Sequence, residues 1–428
     1  MRCDDGRVLA VLSLTFALLL GGLACSDDPQ ASTVGGADAS ADVPDADTAG
    51  DVEPGDAEPG DVAADVVAEE DAPILDASAY SFGEPGPWAV GRLSFVLEDG
   101  ARGRRLPVTI FYPAAPSAAG AAAASEPIEA LIMDEARRQT FADLLTAAPE
   151  GCPTRRVHSA ADAPMADATS PWPLVVYSHC FQCLGVSGAT IAVHLASRGI
   201  IVAMPDHTDD TLFDKLDGAE SQLGDAFLQV RAADLSAVID RLLSAEAPEL
   251  LRDRVDASRI GVMGHSFGAV TTGRLLQLED RVVAGLAFAA PMENPLFPSV
   301  HMAEIHRPVM WVVAGEDNSI MEIGNLILRT NFEAANLPAW KVEVADAGHW
   351  SFSDLCGLVD AFAPGCGEGS RQTRPGEPFS YLPVADGLEI GRRYAAAFFA
   401  AQLQGDEAGY GALEEAFPSG QVKADARR

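Results

Sequence analysis

From about residue 80 onward, short apolar runs rich in β-branched residues alternate along the chain with longer amphipathic stretches. A short continuous apolar run is typical of a buried strand, whereas apolar residues recurring every three or four positions indicate a helix. The pattern predicts strands at Leu93–Leu97, Leu106–Tyr112, Leu174–Tyr177, Ile200–Met204, Ile260–Met263, Ala284–Ala289, Val309–Val313 and Lys341–Val344. It predicts helices at Ile128–Ala147, Ser187–Arg198, Ala226–Ser244, Ala269–Leu278, Met321–Ala335 and Asp386–Leu403.

This alternation of strands and helices is typical of an α/β domain, in which a mostly parallel sheet carries helices on both faces. In such sheets the functional side chains lie in loops at the carboxyl ends of the strands. We therefore expect one catalytic or binding domain over residues 78–428, with its chemistry at the strand ends.

The first 25 residues have the pattern of an export signal. Arg2 and Arg7 precede an apolar run, Val8–Leu20, that is too short for an ordinary spanning helix. The run leads to Gly-Gly-Leu-Ala-Cys, and this ending on Cys25 resembles the bacterial lipobox, whose cysteine becomes the lipidated first residue of the mature protein. The resemblance implies an exported lipoprotein of the cell envelope, at the outer membrane or cell surface. A conventionally cleaved secretory signal is the alternative, and it also places the rest of the chain outside the cytoplasm.

Residues 26–77 consist mostly of Ala, Asp, Val, Pro and Gly. Sixteen Asp or Glu and no Lys or Arg lie between Ser26 and Asp76, so this segment repels itself and has too little apolar surface to offset its ordering entropy. We predict a disordered tether between the membrane and the domain. The net charge of −34 disfavours nucleic acid as a partner, and the expected membrane contact is the N-terminal lipid.

A glycine-flanked serine lies between a predicted strand and a predicted helix, in Gly264–Gly268 (Gly-His-Ser-Phe-Gly). This order resembles the nucleophile elbow of the α/β-hydrolase fold, in which a sharp turn presents the serine at the edge of the sheet. The glycines allow the strand and helix to approach where side chains would clash. Ser266 is therefore the predicted nucleophile, and it needs a base from elsewhere because a serine hydroxyl alone reacts poorly.

Three histidines follow Ser266 in the chain: His301, His306 and His349. In the α/β-hydrolase order of serine, acid and histidine, the histidine lies in a loop after the last strand. His301 and His306 precede the predicted strand Val309–Val313, before any acid at a strand end can occur. His349 follows the last predicted strand and is the predicted general base.

The acid is expected at the end of Val309–Val313, where Glu316 and Asp317 follow a glycine. We predict that Asp317 orients the histidine, and Glu316 is the alternative because either carboxylate can hold an imidazolium. The more usual spacing for this fold would place the acid at the next position, which is the amide Asn318.

The strand Leu174–Tyr177 runs into a loop that contains His179, Cys180 and Phe181. Many hydrolases have His-Gly-x-Gly at this place, where two backbone N–H groups stabilise the tetrahedral oxyanion. With His179 setting the register, the predicted donors are the N–H groups of Phe181 and Phe267. Cys180 stands where a glycine is usual.

Together these segments resemble the platelet-activating factor acetylhydrolase and predicted dienelactone hydrolase group, over roughly residues 85–400. The matching motifs are Ser178-His179, residues 194–199 (His-Leu-Ala-Ser-Arg-Gly), Pro205-Asp206-His207, Gly264–Gly268 and residues 348–352 (Gly-His-Trp-Ser-Phe). The resemblance implies an α/β-hydrolase serine esterase that needs no metal or cofactor. Its implied substrates are small-molecule or lipid-like esters with short or modified acyl chains.

Two other classes of protein are alternatives to the esterase. A non-catalytic surface binding module could keep the fold, although an intact serine, acid and histidine in the right order argue against it. The Cys180-x-x-Cys183 motif suggests a metal or redox protein as the second alternative. A zinc site would need a second paired set of ligands, and haem attachment would need His directly after Cys183, where Leu184 stands.

Five cysteines follow Cys25, namely Cys152, Cys180, Cys183, Cys356 and Cys366. Because five is odd, at least one is free or pairs outside the chain. Cys356 and Cys366 flank a loop just beyond the predicted base, and we predict a bridge between them. Spacing leaves open whether Cys180 pairs with Cys183 or whether Cys152 pairs with one of those two.

Overall fold

A ten-stranded sheet organises the described residues of the computed structural model, which are 81–219, 223–415 and 421–428. The predicted signal segment with Cys25 and the predicted tether lie outside these residues. The strands are β1 (Ala89–Asp99), β2 (Arg104–Ala114), β3 (Glu126–Pro127), β4 (Arg156–Val157), β5 (Ala160–Ala161), β6 (Trp172–Ser178), β7 (Ile201–Pro205), β8 (Val255–His265), β9 (Val282–Phe288), β10 (Val309–Ala314), β11 (Ala339–Val344), β12 (Glu368–Ser370), β13 (Pro378–Ser380) and β14 (Val422–Arg427).

The helices of the described residues are α1 (Ala119–Ala124), α2 (Glu135–Ala147), α3 (Ala189–Ser197), α4 (Leu212–Leu216), α5 (Asp225–Leu243), α6 (Phe267–Leu278), α7 (Met321–Ala334), α8 (Val384–Phe399) and α9 (Glu407–Ala412). Six of them, α2, α3 and α5 to α8, correspond to predicted helices, whereas the short helices α1, α4 and α9 were not predicted. The predicted helix Ile128–Ala147 is divided into a 3-10 turn and α2, and the last predicted helix ends in a π turn, Ala400–Gln404.

The strand order of the main sheet is β14-β11-β10-β9-β8-β6-β7-β2-β1-β5. Strands β6 to β11 are mutually parallel, whereas β2 and β14 run antiparallel to their neighbours β7 and β11. This arrangement confirms the predicted fold class. The pattern did not predict β14, because this charged edge strand has no continuous apolar run.

Both faces of the sheet are covered, as the apolar runs predicted. In β6, Val175 and Tyr177 belong to the core beneath α3 and α8. Leu174 and Val176, on the opposite face, belong to the core beneath α5, α6 and α7. The parallel strands therefore project their carboxyl-end loops from a sheet that is packed on both sides, which holds those loops on a rigid base.

No helix in the described ranges has both the length and the apolar character needed to cross a membrane.

The predicted Cys356–Cys366 bridge is wrong. Cys366 pairs with Cys152, 214 residues away in sequence, with the two Cα atoms 5.7 Å apart, and Cys356 is a buried free thiol. The chain turns at Gly357, which has a left-handed φ of 73°, and a Cβ there would lie 2.7 Å from the Cβ of Cys152. The bridge thus fills the space beside Gly357 while Cys356 packs into the apolar core. Local spacing could not show that the segment carrying Cys152 folds back onto this loop.

We expect non-reducing peptide mapping to recover Cys152 joined to Cys366, with Cys356 alkylated only after unfolding. Replacing both bridged cysteines by Ser should lower the free energy of unfolding by up to about 5 kcal/mol, because a bridge that closes so long a loop removes much entropy from the unfolded chain. Cys356→Ala is the matched control, and it should lower the free energy of unfolding, measured by urea denaturation, far less. A peptide containing Cys356 in disulfide linkage would contradict the assignment.

Candidate active site

The predicted nucleophile lies at a strained turn between β8 and α6. Ser266 has φ 56° and ψ −117°, a backbone conformation that side-chain-bearing residues adopt rarely. A Cβ at Gly264 would overlap the carbonyl oxygen of Gly268, and a Cβ at Gly268 would overlap that of Ser178 at the end of β6. Both positions therefore require glycine, and the turn holds the half-buried Ser266 side chain at the edge of the sheet.

The structure brings Ser266, His349 and Asp317 into one hydrogen-bonded line. Ser266 Oγ lies 2.8 Å from His349 Nε2, and His349 Nδ1 lies 2.7 Å from Asp317 Oδ2. Because a carboxylate only accepts hydrogen bonds, it fixes the proton on Nδ1 and leaves Nε2 free to accept the serine proton. His349 and Asp317 are buried, so the ion pair formed by that transfer is shielded from water.

Asp317 occupies the position beside the histidine, and Glu316 does not. The second oxygen of the Asp317 carboxylate accepts the backbone N–H groups of Ser319 and Ile320, which fixes its orientation. Glu316 instead contacts Arg371 and Thr373 on another segment, and these contacts lower the pKa of its carboxyl against the opposing effect of burial.

The other two downstream histidines are exposed at the surface. The backbone N–H of His301 donates to the side-chain oxygen of Gln277, and the His306 ring contacts the amide of Asn336. Within the described residues, neither histidine contacts Ser266. This agrees with their place in the chain, before the strand that carries the acid.

His265, inside the pentapeptide, supports the backbone of the histidine loop. Its Nε2–H donates to the carbonyl oxygen of His349 at 2.7 Å, and its ring lies against Trp350. Burial lowers the pKa of His265 to about 3, so the ring stays neutral at ordinary pH. No local pattern could indicate this contact, because the two histidines are 84 residues apart in the chain.

Residues 179–183, here called the oxyanion loop, hold one peptide in a defined orientation. His179 Nε2 accepts the backbone N–H of His207 at 2.9 Å, so its proton is on Nδ1 and donates to the Cys180 carbonyl at 2.7 Å. The N–H of Cys183 donates to the same carbonyl at 3.3 Å. In a trans peptide the N–H points away from the carbonyl, so the Phe181 N–H faces the opposite side, where it has no acceptor among the described residues.

A disulfide between Cys180 and Cys183 closes the oxyanion loop, with the two Cα atoms 5.2 Å apart. The structure thereby resolves the pairing that spacing had left open. The bridge replaces the flexibility of the usual glycine with a covalent restraint on either side of Phe181, and it leaves neither sulfur available as a thiolate ligand. In the parts of the chain that the structure describes, no group of three or more His, Cys, Asp or Glu could hold a metal ion.

The second predicted donor comes from the first residue of α6. The N–H of Phe267 has no intrahelical acceptor, as at any helix N-terminus. The close approach of Gly268 to Ser178 brings this turn against the oxyanion loop, and the rings of Phe181 and Phe267 are 6.3 Å apart. The two predicted donors therefore lie on neighbouring segments beside the Ser266 turn.

Asp206 and His207 belong to loop hydrogen bonding and lie behind the site. Asp206 accepts the Gly185 N–H at 2.6 Å, and burial raises the pKa of its carboxyl to about 7. His207 lies between Ser178 Oγ and Asp234, each at 3.1 Å. Sequence patterns did not identify Asp234 or Arg231, which lie on α5. The available signal was a pair of charges on the inward face of an amphipathic helix.

Comparison with known proteins gives a consistent family assignment. The family model for platelet-activating factor acetylhydrolase, isoform II, matches residues 84–215 and 230–358. Platelet-activating factor acetylhydrolase of Gallus gallus is 24% identical over 227 residues, which is 43% of this chain and 53% of that protein. The enzyme of Canis lupus familiaris is 26% identical over 168 residues, which is 30% of this chain and 38% of that protein. The chain thus spans about half or less of the length of these relatives.

A solved structure gives the broader match. Ferulic acid esterase from Streptomyces cinnamoneus superposes with a TM-score of 0.58 and 26% identity, covering 79% of this chain and 96% of that one. The overall fold of the domain therefore recurs in a protein whose sequence is only distantly similar.

The two adjacent carboxylates provide a matched test of the geometry. Asp317→Asn should slow labelling of Ser266 by a fluorophosphonate by ~10³–10⁴-fold, because an amide NH₂ facing Nδ1 forces the proton onto Nε2. Glu316→Gln should leave the rate within a few fold. The rate is measured by intact-mass spectrometry over time. Loss of labelling in Glu316→Gln alone would transfer the orienting role to Glu316.

Proposed function

Because the chain belongs to the platelet-activating factor acetylhydrolase isoform II family, we propose that it is a serine carboxylic-ester hydrolase with Ser266 as nucleophile, His349 as general base and Asp317 as the orienting acid. The observation that carries the proposal is the hydrogen-bonded line of these three side chains at the elbow after β8.

The reaction proceeds through an acyl-enzyme. His349 Nε2 takes the proton as Ser266 Oγ attacks the ester carbonyl, and the carbonyl electron pair moves onto oxygen. The N–H groups of Phe181 and Phe267 hold that oxyanion. Collapse of the intermediate expels the alcohol, which receives the proton from His349, and a water molecule activated by the same histidine then releases the acid.

We expect small-molecule or lipid-like esters with short or modified acyl chains. Support comes from the names of the similar proteins, which are acetylhydrolases and a ferulic acid esterase. These describe a short acyl group in one case and an aromatic acid in the other, so acyl length is the property to measure first.

A panel of p-nitrophenyl esters from acetate to palmitate should show turnover that is highest for the short acyl chains. Ser266→Ala should reduce kcat by ~10⁴-fold or more with the fold intact, since no other group can form the acyl-enzyme. Circular dichroism of the variant controls for folding. A wild-type chain that binds esters without hydrolysing any of them would instead be a non-catalytic surface binding module.

We propose further that the protein is an envelope lipoprotein, exported and anchored through acylated Cys25. Support comes from the apolar run and Ala-Cys ending of the first 25 residues and from the acidic segment that follows. In this arrangement the lipid is the membrane contact, and the acidic segment keeps the enzyme at a distance from the bilayer.

Detergent phase partition tests the anchor. The cell-associated wild type should enter the detergent phase, and Cys25→Ser should remain aqueous, because two or more acyl chains bind a bilayer far more strongly than protein surface alone. The control is the same chain with the signal replaced by one that is cleaved without lipidation. Wild-type protein recovered unmodified from the medium would favour ordinary signal cleavage.

A further inference from the structure

A fully buried ion pair lies behind the oxyanion loop. Arg231 on α5 and Asp210, which precedes α4, are both 0% exposed, and Nη1 of the arginine contacts a carboxylate oxygen of the aspartate. Removing two charges from water is costly, and apolar side chains of similar volume are often as stable or more so. The cost suggests a role for the pair beyond stability.

The Arg231–Asp210 pair is hydrogen-bonded to the oxyanion loop on both sides of Phe181. Nη2 of Arg231 donates to the carbonyl oxygen of His179, two residues before the predicted donor. The other carboxylate oxygen of Asp210 accepts the N–H of Gln182 at 3.0 Å, one residue after it. The two ends of the segment are therefore tied to the same pair of charges.

The same guanidinium also contacts the elements that carry the second donor. Its central carbon lies 4.6 Å from the centre of the Phe267 ring, at cation–π distance, and Nη2 donates to Ser178 Oγ at 3.0 Å. Ser178 is the residue on which Gly268 packs. One side chain thus touches both segments whose N–H groups are the predicted oxyanion donors.

We propose that Arg231 and Asp210 are positioning residues for the oxyanion hole, holding the Phe181 N–H in register with the Phe267 N–H. This inference rests on the proposed esterase function and adds to it the group that keeps the two donors aligned. Neither residue touches the substrate; both act through the backbone of the loop. If the two N–H donors are misaligned, they stabilise the tetrahedral oxyanion less, whereas binding of the planar ester changes little.

Two variants separate this role from a purely structural one. Arg231→Lys keeps the charge beside Asp210, but its single nitrogen cannot also reach the His179 carbonyl and Ser178 as the two guanidinium nitrogens do. The paired change Arg231→Met with Asp210→Leu removes both charges at similar volume and should keep the fold. Arg92→Lys is the matched control, because Arg92 makes a two-point ion pair with Glu126 at 2.7 and 2.9 Å, on β1 and away from the site.

The measurements are kcat and KM on p-nitrophenyl acetate, the inhibition constant of a trifluoromethyl ketone, and the urea midpoint. We expect kcat to fall about 10-fold in Arg231→Lys and about 100-fold in the paired variant, with KM changed less than about 3-fold. The inhibition constant should rise by the same factor as kcat/KM falls, because the ketone adds Ser266 to give a tetrahedral oxyanion. Arg92→Lys should leave all of these kinetic values at the wild-type level.

Wild-type kcat and inhibition constant in either folded variant would overturn the proposal. So would a loss of kcat/KM that arises from KM alone, since the pair would then shape the substrate site and not the oxyanion hole. Failure of the esterase function itself is detected separately, in the wild type, as the absence of both ester turnover and fluorophosphonate labelling at Ser266.

Discussion

The contact between the first turn of α6 and the end of β6 places the serine turn against the oxyanion loop, and the geometry of the site depends on it. Gly268 lies so close to the Ser178 carbonyl that no side chain fits between them. This contact presses the Ser266 turn against the loop that follows β6, and it places Phe267 within reach of both the loop and α5. The strained backbone angles of Ser266 are a local cost of this close approach. The packing on both faces of the sheet holds the turn in that conformation.

The histidine side of the site is held by a different set of restraints. Asp354, just beyond the histidine loop, is buried and accepts hydrogen bonds from Thr154 and from the backbone and side chain of Thr190 in the first turn of α3. A carboxylate at that position also meets the positive end of the helix. Together with the Cys152–Cys366 bridge, this ties the loop after β11 to the segment that carries Cys152 and Thr154 and to α3. The serine turn and the histidine loop thus have different supports, and the hydrogen bond from His265 to the His349 carbonyl joins them.

Sequence patterns predicted the parts of the molecule that depend on local order. The strands, the elbow around Ser266 and the loop position of His349 follow from runs and spacings within a few residues of each other. Sequence separates Asp317 from Glu316 less sharply, because adjacent carboxylates share a strand end and only the turn that follows gives them different directions. Arg231 and Asp210 could not be predicted, because a charged residue on a helix or in a loop is ordinarily solvated. The burial of this pair depends on segments from other parts of the chain. The predicted partner of Cys366 is wrong for the same reason, because Cys356 is near in sequence whereas Cys152 is near in space.

The two disulfides differ in what must happen before each can form. Cys180 and Cys183 have a sequence separation of 3, so they can meet in an otherwise unstructured chain. Cys152 and Cys366 enclose β4 to β11, and they are brought together only once most of the sheet has assembled. Until then, the cysteines nearest to Cys152 along the chain are the pair in the oxyanion loop, and loop closure favours those shorter, non-native pairings. Native and non-native pairings therefore compete during oxidative folding. Early formation of the Cys180–Cys183 bridge prevents either cysteine from pairing with Cys152. A thiol–disulfide isomerase would speed the conversion of non-native pairs to the native ones.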